Sequence, residues 1–283
     1  MKQVTIFFAV LVLAVQWLHP CFIFKAAKDG RVFAGNNEDY LDPMTKYFIF
    51  PREEKKHGRI YFGFSLNYPQ GGMNDRGLFY DWVAGYRTDW KKEKGKKDFD
   101  GNLNEKIMEE CATIEEAIAF YKSYNMPSLK YARCFWADAS GASVIIMWKN
   151  GKLRFERSKT GYQGLGYKSK TAEALSHKFF VPGKPAPAFS ADTLKTLLDA
   201  AHQEGGYPTQ YSNLCDLKNK IVYLYFFQDF DRVVKIDLEK ELKKGKSDVY
   251  MIDLFPGNRK ALDWRKRHKN DLLEKHAYIK EFY

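Results

Sequence analysis

The feature that most constrains this chain is an apolar leader that ends directly before a cysteine. Lys2 is the only charged residue among the first twenty, and the segment 4–15 is almost unbroken apolar sequence. This pattern is typical of a secretory signal peptide, and the segment is shorter than the ~20 apolar residues that a transmembrane helix needs. We therefore predict that residues 1–20 are removed and that residues 21–283 are exported, periplasmic or extracellular, with Cys21 at the new N-terminus.

An N-terminal cysteine carries a base within the same residue. Its α-amine titrates at about 7.7–8.0, against about 8.5 for a free thiol. The amine can therefore accept the thiol proton, directly or through a water molecule. Taken alone, Cys21 also fits an ordinary cysteine that merely follows a leader, so the downstream residues decide between the two interpretations.

The net charge and the cysteine and histidine spacing exclude several classes of function. The formal charge is +11, but the basic runs at 91–97, 240–246 and 265–269 alternate with acidic residues. This indicates a solvated surface rather than a nucleic-acid groove. No histidine pair or Cys-x-x-Cys has metal-ligand spacing. We expect a small-molecule partner, no metal or other cofactor, no nucleic acid and no stable membrane span. A homo-oligomer and one disulfide among the later cysteines stay open.

Alternating apolar residues and turn dipeptides predict a chain rich in antiparallel strands, the first pair turning at Asp29-Gly30. Strands are predicted over 22–26, 31–34, 59–66, 78–84, 132–137, 143–148, 152–156, 221–227 and 232–236, and helices over 102–122, 190–202, 238–244 and about 262–283. The first helix is predicted to break near Ala112, with Thr113 and Glu116 forming a capping box for its second half. The segment 71–77 is predicted to be a turn, and the last helix to be basic and peripheral. No linker or repeat divides the chain, which favours one α+β domain over 21–283.

Four segments in chain order carry a family resemblance: GNNEDY from Gly35, GGMNDRGL from Gly71, WADASGASVIIMW from Trp136 and YSNLCDLKNKIVYLYFF from Tyr211. Together with Cys21 they resemble the choloylglycine hydrolase and penicillin V acylase family of N-terminal nucleophile hydrolases. The likeness is greatest to the exported linear amide C–N hydrolases. It extends to about residue 256 and implies a four-layer αββα sandwich.

The resemblance also implies the residues of a catalytic site. Cys21 would be the nucleophile, with its own amine as base. Asp39 would hold the amine or the thiol in place, and Asn74 would donate its amide to the tetrahedral oxyanion. Two substrate-binding candidates stand where the family has arginines. Asn36 opens the second motif, and Asn213 could act as a donor near the expected position of the other arginine.

The activity implied is hydrolysis of a linear non-peptide amide through an acyl-thioester, with an N-acyl amine, conjugated bile salt or penicillin V type of substrate. Two alternatives stay open. An acyltransferase on the same fold would pass the acyl group to an amine instead of water. A non-catalytic exported binding protein with an eroded site is the other, because the arginines are absent and Gly161–Gly164 replaces a Thr-Asn pair of the family.

Overall fold

The structure is a computed structural model of the chain, and it describes residues 21–64, 68–84, 87–159, 161–166, 168–180 and 187–270. The predicted signal peptide and the last part of the predicted C-terminal helix, 271–283, lie outside the described residues. None of the helices in the described ranges is both long and apolar enough to cross a membrane.

Two antiparallel sheets make up the centre of the molecule, with strands numbered in chain order. The first sheet has the spatial order β10 (Gly161–Gly166), β1 (Phe22–Lys28), β2 (Arg31–Asp39), β11 (Thr209–Asp216), β12 (Ile221–Phe226) and β13 (Asp229–Asp237). The second has the order β14 (Ser247–Tyr250), β3 (Thr45–Phe50), β4 (Arg59–Phe64), β5 (Tyr68–Asn74), β6 (Phe79–Ala84), β7 (Ala132–Ala137), β8 (Ser143–Lys149) and β9 (Lys152–Ser158).

Helices cover the outer faces of both sheets. The helices are α1 (Leu103–Glu110), α2 (Ile114–Ser123), α3 (Ser169–Phe180), α4 (Ala191–Ala201), α5 (Leu238–Lys244), α6 (Met251–Leu254) and α7 (Arg259–Arg267), with a 3-10 turn at Pro127–Lys130. Apolar side chains of α3 and α4 pack in one cluster with Phe22 and Phe24 of the first sheet. Those of α1 and α2 pack with Tyr80 and Trp136 of the second. A third cluster fills the space between the sheets, so the predicted αββα sandwich is confirmed.

The local signals that the sequence shows most clearly are confirmed. β1 and β2 form a hairpin around Asp29 and Gly30, both of which have positive φ. The long helical segment breaks after Cys111, and α2 starts with a capping box in which Thr113 and Glu116 satisfy each other's backbone N–H groups. Four buried free cysteines, Cys21 among them, are present in the described chain.

The glycine-rich segment predicted as a turn is a strand instead. β5 includes Gly71 and Gly72, and the turn is confined to the residues just after Asn74. A Cβ on Gly71 would lie 2.6 Å from a carboxylate oxygen of Asp81, and one on Gly72 would lie 2.2 Å from the carbonyl oxygen of Ile60. These glycines serve close packing rather than a special backbone conformation.

Other differences come from elements with weak sequence patterns. The strands β3, β10, β11 and β14 and the helices α3 and α6 were not among the predicted elements. The final helix begins at Arg259, before the predicted start near residue 262. Its Ala261 and Trp264 are buried in the inter-sheet cluster, whereas its other residues are exposed or partly exposed, so the described part of this helix packs on the molecule through one face.

Candidate active site

A row of polar side chains crosses the first sheet on the face that meets the second sheet. In the register of β2 and β11, Glu38 lies opposite Tyr211 and Asn36 lies opposite Asn213. Side chains on alternate residues of a strand share a face. Val32 and Ala34 are in the inter-sheet cluster, so Asn36 and Glu38 point to the same space.

Cys21 lies at the end of this row, directly before β1. Its Sγ donates a hydrogen bond to Oε1 of Glu38 at 3.6 Å and accepts one from the backbone N–H of Asp39 at 3.5 Å. Only 9% of Cys21 is exposed. The β1–β2 hairpin produces this contact, because it folds the end of β2 back beside the start of β1.

Hydrogen bonds connect the row into one chain of groups. The amide of Asn213 donates to the side-chain oxygen of Asn36. The amide of Asn36 in turn donates to Oε2 of Glu38 at 3.3 Å. The two predicted substrate-binding residues are therefore linked to the Cys21 thiol through a single carboxyl group, which the sequence analysis did not single out.

Asp39 lies beside the row and is only partly satisfied. Its Oδ1 accepts a hydrogen bond from the hydroxyl of Thr209 at 2.5 Å, whereas Oδ2 is buried and receives no hydrogen bond from the described residues. Burial raises the pKa of Asp39 to about 8, although the Thr209 hydroxyl and the charge of Lys168 both oppose the shift.

A third buried carboxyl group reaches the site from the second sheet. Asp81 on β6 is 1% exposed, and its Oδ1 accepts a hydrogen bond from the backbone N–H of Trp82 at 2.6 Å. Burial raises the pKa of Asp81 to about 8. Glu38, Asp39 and Asp81 are called the acid cluster below. Burial, then the charges of Asp81 and Asp39, raises the pKa of Glu38 well above its ordinary value.

The acid cluster also acts on the thiol. Burial raises the pKa of Cys21 well above its ordinary value, and the charges of Glu38 and Asp39 raise it further. The hydrogen bond from the Asp39 backbone N–H opposes this increase. In the continuous chain, where the nitrogen of Cys21 belongs to a neutral peptide bond, the thiol therefore keeps its proton.

Asn74 is engaged elsewhere. Its amide donates to the carbonyl oxygens of Met108 at 2.9 Å and Cys111 at 2.8 Å, the last carbonyls of α1. Its side-chain oxygen accepts from the backbone N–H groups of Arg76 and Leu78. Both amide hydrogens join the turn to the helix, so this arrangement leaves neither for a substrate oxyanion.

The structure thus brings together four of the five predicted site residues, Cys21, Asp39, Asn36 and Asn213, whereas Asn74 is the last residue of β5 and its amide bonds to the end of α1. Sequence reasoning missed Glu38 and Asp81. Glu38 could have been found, because strand alternation puts it on the same face as Asn36. A single carboxylate in the otherwise apolar β6 sequence FYDWVA was the only signal for Asp81.

One further close packing fixes the position of Cys21. β10 pairs with β1, and Gly166 at its end has a φ of +102°. A Cβ on Gly166 would lie 1.8 Å from the carbonyl oxygen of Cys21. Only glycine fits here, both because of the backbone conformation and because of the contact.

Solved structures with the same fold exist. A penicillin V acylase from Agrobacterium tumefaciens matches with a TM-score of 0.59 at 16% identity, over 81% of this chain and 90% of that chain. A variant of conjugated bile acid hydrolase from Clostridium perfringens matches with a TM-score of 0.63 at 15% identity, over 81% and 96%. A second variant of that hydrolase gives 0.59 at 14% identity, over 82% and 96%.

No family model matches the chain, and no curated protein matches it in sequence. At identities this low, the structural likeness establishes the fold. It confirms the fold that the sequence resemblance implied, and it covers most of both chains.

Proposed function

We propose that this protein hydrolyses a linear, non-peptide amide bond with Cys21 as the nucleophile, after residues 1–20 have been removed during export. One observation carries the proposal. The Cys21 sulfur is buried against the Glu38 carboxyl group and the Asp39 backbone N–H, at the start of a central strand. The fold is shared with an acylase and a hydrolase that act on penicillin V and on conjugated bile acids.

Removal of the leader would change the charge of the site. The nitrogen of Cys21 would become an α-amine, positively charged when protonated, next to the acid cluster. Its charge would offset the two electrostatic causes that raise the thiol pKa, those of Glu38 and Asp39. It would also give the buried Oδ2 of Asp39 a donor of opposite charge. Maturation therefore both supplies the base and lowers the cost of ionising the thiol.

The reaction then follows in two balanced steps. The amine takes the thiol proton, the sulfur forms a bond to the acyl carbon, and the resulting ammonium protonates the nitrogen of the breaking C–N bond. An amine leaves and a thioester remains. In the second step the amine removes a proton from water, the hydroxide adds to the thioester, and the carboxylic acid departs as the thiol is restored.

We assign the oxyanion donors to the asparagine pair rather than to Asn74. Asn36 and Asn213 each use one amide hydrogen in the chain of hydrogen bonds described above. The second hydrogen of each has no acceptor among the described residues and is available to a substrate oxygen. Such donors contribute about 10²–10³ to the rate in other acyl-transfer enzymes.

The test is acylation of the exported protein. N-terminal sequencing should find Cys21 first, and p-nitrophenyl caproate should add one caproyl group that peptide mapping places on Cys21. The variant Cys21→Ala should form no adduct and should release no amine from a caproyl amide. The matched control is Cys111→Ala, because Cys111 is a buried thiol in a different cluster. An adduct that persists in Cys21→Ala would overturn the proposal.

The two alternatives make different predictions in the same assay. An acyltransferase would form the thioester and give a caproyl amide rather than free caproate when an acceptor amine is added. A binding protein would form no thioester. The binding-protein alternative is supported by Asn74, because both hydrogens of its amide are donated to carbonyl oxygens at the end of α1.

A further inference from the structure

We propose that the site takes substrates that carry a positive charge, a protonated amine or a guanidinium, close to the scissile amide. The acid cluster is the group that would recognise this charge. The inference rests on the proposed function and adds the class of substrate to it.

The first reason is an imbalance of buried charge. Glu38, Asp39 and Asp81 are each at least nine-tenths buried, and they come from two different sheets. None of the three forms an ion pair with a Lys, Arg or His side chain among the described residues. The charge of Lys168 also acts on Asp39, and its amino group donates to the carbonyl oxygen of His202.

The second reason is an unused acceptor. Oδ2 of Asp39 is buried and receives no hydrogen bond from the described residues. A buried polar atom of this kind costs stability unless something binds to it. The α-ammonium of the mature Cys21 would use only part of this capacity, because a carboxylate oxygen accepts more than one hydrogen bond, and Glu38 and Asp81 would still lack a cationic partner among the described residues.

The third reason concerns the kind of cation. The described residues contain no group of three or more His, Cys, Asp or Glu side chains arranged to hold a metal ion. Glu38 is within hydrogen-bond reach of the nucleophilic sulfur, Asp39 lies beside the row, and Asp81 approaches it from the second sheet. An organic cation carries several N–H donors, which can bond to separate acceptors of this kind.

The rest of the row offers no positive charge to an anion. Asn36 and Asn213 are uncharged amides, and among the described residues they form hydrogen bonds with each other, with Glu38 and with the thiol of Cys215. A substrate carboxylate placed beside Cys21 would meet three buried carboxyl groups whose pKa values burial already raises, and it would make their ionisation still less favourable. A cation would instead favour their ionised forms.

The experiment compares two matched sets of amides on the exported protein. In the first set a caproyl group is attached to putrescine, n-butylamine or γ-aminobutyrate, so that only the charge of the amine part changes. In the second, n-butylamides of ε-aminocaproate, caproate and adipate vary the charge of the acyl part. The readout is kcat/KM from release of the amine, and acylation of Cys21 by p-nitrophenyl caproate is measured beforehand.

We expect the cationic member of at least one set to exceed its neutral match by about tenfold or more in kcat/KM, a difference of about 1.4 kcal/mol. The anionic member should be the poorest of each set. A protein that forms the thioester but shows no such cationic preference in either set overturns the inference and leaves the proposed function standing. If no thioester forms, both fall.

Variants connect the preference to the acid cluster. Asp81→Asn should reduce the cationic-to-neutral ratio, and Glu38→Gln provides a second, independent removal of one charge should Asp81→Asn not fold. The matched control is Asp231→Asn, which removes an exposed carboxylate from β13 and should leave the ratio unchanged. An undiminished ratio in both cluster variants would also overturn the assignment.

Discussion

Two sets of carboxyl groups in this molecule are treated in opposite ways. Just after β5 in the second sheet, Asp75 accepts hydrogen bonds from the guanidinium of Arg52 and from the backbone N–H of Gly58. Close by, the guanidinium of Arg59 donates to the partly buried Glu109 at 2.5 Å. In the acid cluster, by contrast, the described chain provides no Lys, Arg or His partner to Glu38, Asp39 or Asp81.

The two sets differ in whether the described chain supplies a cationic partner to the carboxyl groups. Where carboxylates join turns and helices, the chain neutralises them with its own arginines, which limits the desolvation cost. Beside Cys21 it leaves that cost in place, and the pKa of Asp39 and Asp81 rises to about 8 as a result. Unfavourable electrostatics of this kind concentrate at functional sites, and three predictions test the comparison.

The largest effect should be on the pH dependence of stability. In the unfolded chain a carboxyl group such as Asp81 titrates near 3.9, and in the folded protein it titrates at about 8. The folded state therefore binds more protons across this window. Stability is fully present below about pH 4 for such a group and is lost as the pH rises through 8, by up to about 1.4 kcal/mol per unit per group.

Urea denaturation between pH 5 and 9 measures this loss, and the slope should be smaller in Asp81→Asn than in the parent. The charge of Asp81 acts on five buried ionisable groups, Cys21, Glu38, Tyr211, Cys134 and Cys215, with Asp39 and Lys168 beside them. If Cys21 becomes the N-terminus as proposed, its α-ammonium compensates part of the charge, and the uncleaved chain should show the steeper slope. A slope equal in Asp81→Asn and the parent would contradict the comparison.

Where arginines neutralise the carboxylates, removing an arginine should lower the stability of the protein. Replacing the buried arginine, Arg59→Met, leaves Glu109 without its closest partner and should cost about 3 kcal/mol of unfolding free energy. Urea denaturation at pH 7 checks the value. Arg157→Met is the matched control, since its pair with Glu115 is exposed on both sides and should contribute less than about 1 kcal/mol.

The smallest effect on rate should come from Asn74→Ala. If Asn74 only joins the turn to α1, the folded fraction of the variant keeps kcat/KM within about tenfold of the parent, although its stability falls. Loss of a true oxyanion donor would cost about 10²–10³. Asn36→Ala and Asn213→Ala, measured with the same amide, should show this larger loss of kcat/KM. If Asn74→Ala showed the larger loss instead, Asn74 would be the oxyanion donor.

The sequence predicted those parts of the site that depend on neighbouring residues. Cys21, Asn36 and Asp39 lie on one hairpin, so a turn signal and strand alternation suffice to bring them together. Asn213 was placed by resemblance, and the β2–β11 register puts it opposite Asn36. The αββα layers followed from the same resemblance, and the capping box of α2 from its own residues.

The missed features depend on contacts between distant segments. Whether the Asn74 amide is free depends on where α1 ends, which the residues around Asn74 do not encode. The sequence around Gly71 predicts a turn, whereas in the structure Gly71 is a strand residue with the carboxyl group of Asp81 packed against it. Asp81 itself enters the site only because the second sheet lies over the first, a matter of tertiary packing rather than of local pattern.

The placement of β1 also has a consequence for the order of events during biogenesis. Its neighbours are β2, which follows it directly, and β10, which is synthesised much later; the row is completed only when β11 arrives. Until then the thiol of Cys21 is as accessible as any cysteine of an unfolded chain, because the row that buries it needs these later strands. Cys21 is made before every strand of the two sheets and is shielded only after most of the chain exists, so the interval of greatest oxidative risk to its thiol precedes folding.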